Sequence, residues 1–250
     1  MAGNFDMSKF LSEIDKKRFG FNIAKINEWD TSPAKLIQQL RNDNIKLVIS
    51  RLPTENVTLI NELESLGFQL KDTQLTYRFD LSRIFFDSVE IPDKLEMREI
   101  VEADLPLAAK LAKNSFKGYG HYANNKQLDQ SKIEEIYEDW VVNSFNNPDF
   151  ADKFLVIASG EDIAGFLTFK LINQNGKKYA KGGIGAVSEV YRNQGIFKLL
   201  NKGGLLWGKT LGLDWIEHNA LSTNYSVGRV FTSLGFYNAA SYVTLHCWLE

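Results

Sequence analysis

The residues that could do chemistry in this chain gather in two stretches of its last third. In Arg192-Asn-Gln-Gly195 a cation and a glycine stand where an apolar, β-branched run, Ile184–Val190, gives way to Ile196, Leu199, Leu200, Gly203, Leu206 and Trp207 at helical spacing. A helix starting there leaves its first amides without internal partners and presents the positive end of its dipole. Such a helix start, with Arg192 beside it, is a ready place for phosphate oxygens. The second stretch begins at Asn224, a suitable N-cap, and ends at Gly235, a suitable helix stop. Groups able to move a proton lie close by in sequence, Glu189, Glu217, His218 and Tyr225, with His121 and Tyr122 further upstream. Taken singly, each is also what an ordinary strand or loop carries. One cysteine, Cys247, rules out an internal disulfide and a multi-cysteine zinc site, and no metal is expected.

The elements that must position these residues follow from hydrophobic period and punctuation. Met7–Ile14 reads as a short helix and Phe19–Ile26 as a strand. Ser32-Pro33 opens a helix with apolar Leu36, Ile37 and Leu40; Ile45–Leu52 is a strand, Asn56–Leu66 a helix and Phe68–Leu81 a long strand. Phe85–Leu95 reads as a linker, which sets a first domain at 1–90 and a second at 94–250. The second contains a strand at Glu96–Val101, a helix opened by Glu102-Ala-Asp-Leu-Pro106, and the loop Lys117–Asn125, rich in glycine, aromatic and amide residues. A helix over 129–145 and strands at Phe154–Ser159 and Ile163–Ile172 come next, the strands joined by a turn at Gly160-Glu-Asp162. Strands at Asp214–Leu221 and Tyr237–Leu249 complete the order.

The first third repeats the last. Aligning Asn56 with Asn224 lays Ser65-Leu-Gly-Phe68 on Ser233-Leu-Gly-Phe236 without a gap, and strand, Asn-capped helix, glycine stop and long strand agree throughout. No counterpart of Arg192-x-x-Gly195 precedes the first copy, which reads as a scaffold without a phosphate site. Composition constrains the partners: a net charge of −2 gives no reason to expect nucleic acid or an anionic membrane. No apolar run approaches the roughly 20 residues that span a bilayer, and the start Met1-Ala-Gly-Asn lacks the pattern of a secretory leader, so a cytoplasmic location is expected.

Arg192 and Gly195, with Asn224, Gly235 and Phe236, resemble the two motifs of the GNAT superfamily of acyl-CoA-dependent N-acyltransferases. Phe197 stands where that family has a small residue, Val227 replaces another small residue, and Phe231 replaces the tyrosine that serves as general acid. From residue 95 on, the order of elements is also the GNAT order. The resemblance implies an α/β (α+β) GNAT fold, a mixed, mostly antiparallel sheet flanked by helices, behind an N-terminal degenerate half-GNAT β-α-β-α-β domain. Within the superfamily the chain looks similar to the dTDP-fucosamine acetyltransferase group, through Tyr137, Trp140, Asn143, Ser144 and Ala164-Gly-Phe166.

What the resemblance implies is attack of a neutral amine on the thioester of acetyl-CoA. Backbone groups of Val187–Val190 would grip the pantetheine arm, the amides from Asn193 to Lys198 the pyrophosphate, and Asn224 the pantetheine or its own helix. The loop of Tyr119, His121, Tyr122 and Asn124 would face the acceptor. With Phe231 unable to donate a proton, Tyr225, His218 and Glu217 are the replacements of the right type. Three readings stay open: acetylation of a sugar-nucleotide amine; acetylation of a peptide or other small amine; and a non-catalytic acyl-CoA-binding module. An exposed strand edge beside the terminal strand gives a second copy a place to pair as a homodimer.

Overall fold

The computed structural model describes residues 7–249. Nine strands and eight α-helices are found among them: α1 (Glu13–Phe19), β1 (Ile23–Lys25), α2 (Pro33–Asn42), β2 (Leu47–Pro53), α3 (Val57–Ser65), β3 (Gln69–Asp80), β4 (Glu96–Glu99), α4 (Leu105–Ser115), α5 (Gly120–Ala123), α6 (Gln130–Asn146), β5 (Lys153–Ser159), β6 (Asp162–Gln174), β7 (Lys177–Val187), α7 (Ile196–Thr210), β8 (Trp215–Leu221), α8 (Tyr225–Leu234) and β9 (Tyr237–Trp248). The fold is α/β, with mixed, mostly antiparallel strand pairing and flanking helices.

The chain forms two compact units. One holds the described residues up to Gln74, with Gly118–Ile133 and the chain from Ala240 on; the other holds Leu75–Lys117 and Glu134–Ala239. In the first unit the strand order is β1-β2-β9-β3. β2 and β9 are antiparallel, with Ile49 opposite His246 and Arg51 opposite Thr244. Since side chains alternate along a strand, Leu245 and Cys247 enter a core with Val48, Leu52 and Leu63, while Thr244, His246 and Trp248 line the opposite face.

In the second unit the order is β3-β8-β7-β6-β5-β4. Both faces of this sheet are buried, and the same alternation divides them. Leu155, Ile157, Leu167 and Phe169 pack with α7 and α8; Phe154, Val156, Phe166 and Ile184 pack with the small residues Ala108, Ala109 and Ala112 of α4. The result is a three-layer arrangement of helices, sheet and helices.

Element bounds recur 168 residues apart, as from Leu47 to Trp215. β2 matches β8 and β3 matches β9 at both ends, α3 and α8 start at matching positions, and α2 and α7 end at matching positions. Gly67 and Gly235, after the paired helices, share a φ of 94°.

Three expectations from sequence need correction. The N-terminal helix is not Met7–Ile14 but a 3-10 turn at Met7–Lys9 followed by α1. Phe19 is the last residue of α1 and Gly20 stops it at φ 83°, so the strand expected over Phe19–Ile26 shortens to Ile23–Lys25. β7 starts at Lys177, ahead of the expected Ile184, because Asn175 and Gly176, both at positive φ, make a tight hairpin that lets β6 and β7 pair from Gln174↔Lys177 onward.

Candidate functional site

The site in the second unit is built where two parallel strands part. β7 and β8 pair from Tyr179↔Trp215 to Gly182↔His218, and the ladder stops there, although β7 runs on to Val187 and β8 to Leu221. Beyond that point β7 is still held by β6 on its other side, through Gly165↔Val187. Its edge facing β8 is left with backbone groups outside any ladder, a template for an extended ligand.

His218 marks the point of parting. A Cβ on Gly182 would lie 1.7 Å from His218 Nδ1, so only glycine lets the imidazole lie against the β7 backbone. The ring stacks on Phe231, with centroids 4.9 Å apart, and meets Phe169 edge-on and Phe236 at a tilt. Its Nε2 is buried with no hydrogen-bond partner among the described residues. Burial pushes the pKa down to about 3, and the ring is neutral near pH 7.

Glu217 points to the other face of β8. Arg78 Nη2 donates to its Oε2 at 3.0 Å, Trp215 Nε1 donates to the same oxygen at 3.2 Å, and Lys181 Nζ lies 3.6 Å from Oε1. The carboxylate is held between two cations, with Arg78 also stacked over Trp215 at 4.4 Å.

The start of α7 completes the site. Asn193 and Gly195 take positive φ values of 61° and 78°. No atom lies within 4 Å of the place a Cβ would take on Gly195, so the approach to the first amides of α7 is open there. Arg192, Asn193 and Gln194 are exposed, and Lys198 is half-buried on the first turn. Arg192 is paired with Glu189 at 3.5 Å across a solvated surface, a contact worth little. Phe197 turns its ring toward Phe231, 5.8 Å away, and packs against the core, as does Val187.

On α8, Asn224 accepts a hydrogen bond from Val227 N at 3.3 Å and caps the helix. Asn224 and the exposed Tyr225 line a shallow groove of about 690 Å³ with Tyr77, Ser222, Gly228 and Arg229. Phe231 is 1% exposed and sits among Tyr77, His218 and Phe236. The structure thus brings Val187, Glu189, Arg192–Lys198, Glu217, His218, Asn224 and Tyr225 into one unit.

Tyr119, His121, Tyr122 and Asn124 belong to the other unit. The Tyr122 hydroxyl donates to Asp15 Oδ1 at 2.8 Å, and burial followed by that carboxylate raises its pKa. Asn124 Nδ2 donates to the Lys71 carbonyl at 2.7 Å, and Tyr119 is half-buried. His121 Nδ1 lies 2.8 Å from His246 Nε2. Asn125, read from sequence as an acceptor-side amide of the same loop, joins this network instead, and His246 and Asp15, which complete it, were not anticipated. The alternation of Thr244-Leu-His-Cys-Trp248 is the signal that sets His246 on the face opposite Leu245 and Cys247. In the other unit, the glycines at 182, 183 and 185 signal a close approach to a strand.

Solved structures of similar fold include several acetyltransferases. A GCN5-related N-acetyltransferase from Sphaerobacter thermophilus superposes with a TM-score of 0.62 at 14% identity, over 86% of this chain and 67% of that one. A tandem GNAT protein from the clavulanic acid biosynthesis pathway gives 0.62 at 13%, over 90% and 75%. A GCN5-related N-acetyltransferase from Kribbella flavida gives 0.59 at 13%, over 90% and 80%. The fold is the GNAT fold. No family model and no curated protein matches the sequence. Among the described residues no helix is long and apolar enough to cross a membrane, and no cluster of three or more His, Cys, Asp or Glu could hold a metal ion.

Proposed function

We propose that the chain is an acetyl-CoA-dependent N-acyltransferase that acylates a primary amine. The observation that carries this reading is the parting of β7 and β8 after Gly182↔His218 in front of a helix led by Gly195. The residues present fit the co-substrate. The free edge of β7 through Val187 suits the pantetheine arm, and the open amides of α7 with Arg192 and Lys198 suit the pyrophosphate. Phe197, whose bulk departs from the family pattern, carries its ring toward the core.

The bound thioester supplies an acyl carbon open to attack. The amine nitrogen forms the new C–N bond, the C–S bond breaks, and one proton must pass from the amine to the departing sulfur. Phe231 cannot take part. We assign that proton's path to His218 Nε2, the unpaired polar atom at the point of parting. A neutral imidazole can accept the proton, and the negative charge that develops on sulfur raises the ring's pKa as the bond breaks. Tyr225 at the groove is the second donor within this unit, and Glu217, clamped by Arg78 and Lys181, fixes the sheet face.

The acceptor favoured by residue pattern is the amine of a nucleotide-linked amino sugar, through Tyr137, Trp140, Asn143 and Ser144. Tyr137 and Trp140 stack on α6 with centroids 6.5 Å apart, and Trp140 is exposed, the kind of aromatic face on which a sugar can rest. The 168-residue recurrence of element bounds supports reading the first third as a degenerate half-GNAT unit, an arrangement akin to that of a tandem GNAT protein.

Isothermal titration with acetyl-CoA tests the reading. Binding should be micromolar in the unaltered protein and weaker by one to two orders of magnitude in the Arg192→Ala/Lys198→Ala variant, which loses two charge-assisted contacts. Failure of the folded protein to bind either acetyl-CoA or CoA would refute it. Amine acceptors, nucleotide amino sugars first, are then screened by thiol release.

A further inference from the structure

A chain of four side chains in the first unit fixes which nitrogen of each histidine carries a proton. Trp248 Nε1 can only donate, and it lies 3.2 Å from Asn125 Oδ1, which the backbone N–H of Gln127 also approaches at 3.3 Å. The Asn125 oxygen is thereby identified, and its Nδ2 is the donor to His246 Nδ1 at 2.9 Å. A neutral His246 whose Nδ1 accepts must carry its proton on Nε2, which donates to His121 Nδ1 at 2.8 Å. His121 in turn carries its proton on Nε2. Protonating His121 Nδ1 would set two N–H groups head to head.

His121 Nε2 has no partner among the described residues, and the ring is half-buried. The surroundings are cationic. Arg51 lies opposite Thr244 and is therefore a diagonal neighbour of His246 on the same face of the β2–β9 pair. Only its Nε is engaged, donating to Thr244 Oγ1 at 3.0 Å, and both Nη groups are without partners among the described residues. Lys25 is ion-paired with Asp15, which also accepts from Tyr122 and Ser12, and it still adds positive potential at His121, as Arg51 does. Lys71, bonded to Gln69, adds positive potential at His246.

We propose that His121 Nε2–H and the Arg51 guanidinium form a binding site for an oxyanion, a small carboxylate or a phosphate, with the donor polarity of His121 set by the chain Trp248, Asn125, His246. The planar fork of Arg51 matches a carboxylate in a bidentate manner and leaves one oxygen lone pair for His121. The site lies wholly within the first unit and stands whether or not the second unit transfers an acyl group.

Nitrogen NMR of protein labelled at histidine tests it directly. Before any ligand is added, His121 and His246 should both show an unprotonated Nδ1 and a protonated Nε2. Titration with acetate, and separately with inorganic phosphate, should move the His121 Nε2–H signal saturably, with a millimolar dissociation constant for at least one; whichever binds more tightly names the ligand class. Arg51→Gln should weaken binding at least tenfold with both tautomers unchanged. Arg51→Lys, which keeps the charge and loses the fork, should weaken acetate more than phosphate. A proton on His121 Nδ1, or no saturable shift with either anion in the unaltered protein, overturns the proposal, and neither result depends on how the variants fold.

Discussion

Replacing His218 by Leu separates what the imidazole costs the fold from what it is kept for. The two side chains are similar in volume, and a change of shape at constant volume in a packed core usually costs less than about 1.5 kcal/mol. Against that stands the removal of an orphaned buried nitrogen, a penalty of about 1–3 kcal/mol. Near pH 7.5 the variant should therefore be as stable as the parent, or more stable by up to about 2 kcal/mol. The folded pKa of about 3 lies below the unfolded value near 6.5, so the histidine's contribution is intact above pH 6.5 and is lost as the pH falls from there toward 3. At pH 5 the unfolded chain takes up a proton that the folded one refuses, which costs the parent about 2 kcal/mol, from 1.5 pH units at about 1.4 kcal/mol each. The variant escapes that loss. Urea unfolding of both proteins at pH 7.5 and pH 5, followed by tryptophan fluorescence, should show their difference widening by about 2 kcal/mol at the lower pH. An equal loss in both would mean that His218 is not a neutral buried group. A variant weaker by 3 kcal/mol or more at pH 7.5 would mean that packing, and not a missing partner, explains the residue. If the assignment of His218 to proton transfer is right, the stabilised variant still binds acetyl-CoA and no longer turns over.

Four further outcomes follow from other parts of the structure. Gly182→Ala sets a methyl group 1.7 Å from a ring hemmed in by three phenylalanines and should cost about 3 kcal/mol or more, read as a lowered melting temperature. Asn224→Ala removes the one side-chain cap found on α8 and should cost about 1 kcal/mol in urea unfolding, with Asn224→Asp retaining most of it. Asp104→Ala leaves Arg98 without its two-point partner and frees the Val101 amide. Asp104 is held below the usual carboxylate range by Arg98 first, so the parent should itself lose part of this stability as the pH falls below about 4, and the variant should be less stable by about 2–3 kcal/mol at pH 7. Burial also holds His246 down to about 3 and His121 well below its ordinary value, so His246→Gln should flatten the loss of stability between pH 6.5 and pH 5 in the same sense as His218→Leu.

The elements were readable wherever one local signal was enough. Ser32-Pro33, Asn224 and Gly235 mark helix ends through backbone chemistry that operates within a single turn, and those ends were found to within a residue or two. The start of β7 was missed because Lys177–Gly183 interrupts the buried Tyr179 and Ala180 with lysines and glycines, which leaves no apolar period to detect although β6 and β8 both pair with it. The same limit separates the two halves of the site reading. Gly195 acts through the backbone next to it, so its sequence context was enough to place the turn that opens α7. His218 and Glu217 are adjacent and look alike as titratable strand residues, yet alternation sends them to opposite faces, one among phenylalanines and the other between Arg78 and Lys181. Only the fold decides that one is a neutral orphan and the other a saturated anion.

The first unit shows what alternation could have disclosed and what it could not. Period two along Thr244–Trp248 was enough to place His246 and Trp248 on one face, and the register with β2 adds Arg51 to it. Nothing local foretells that Asn125, 121 residues away, meets His246 there. A buried imidazole without that amide would have two tautomers open to it, and His121 would then present either a donor or a bare lone pair. With the Trp248 indole fixing the Asn125 oxygen, one tautomer is selected all along the chain, and a residue that in sequence was one of several groups able to move a proton is set as a hydrogen-bond donor.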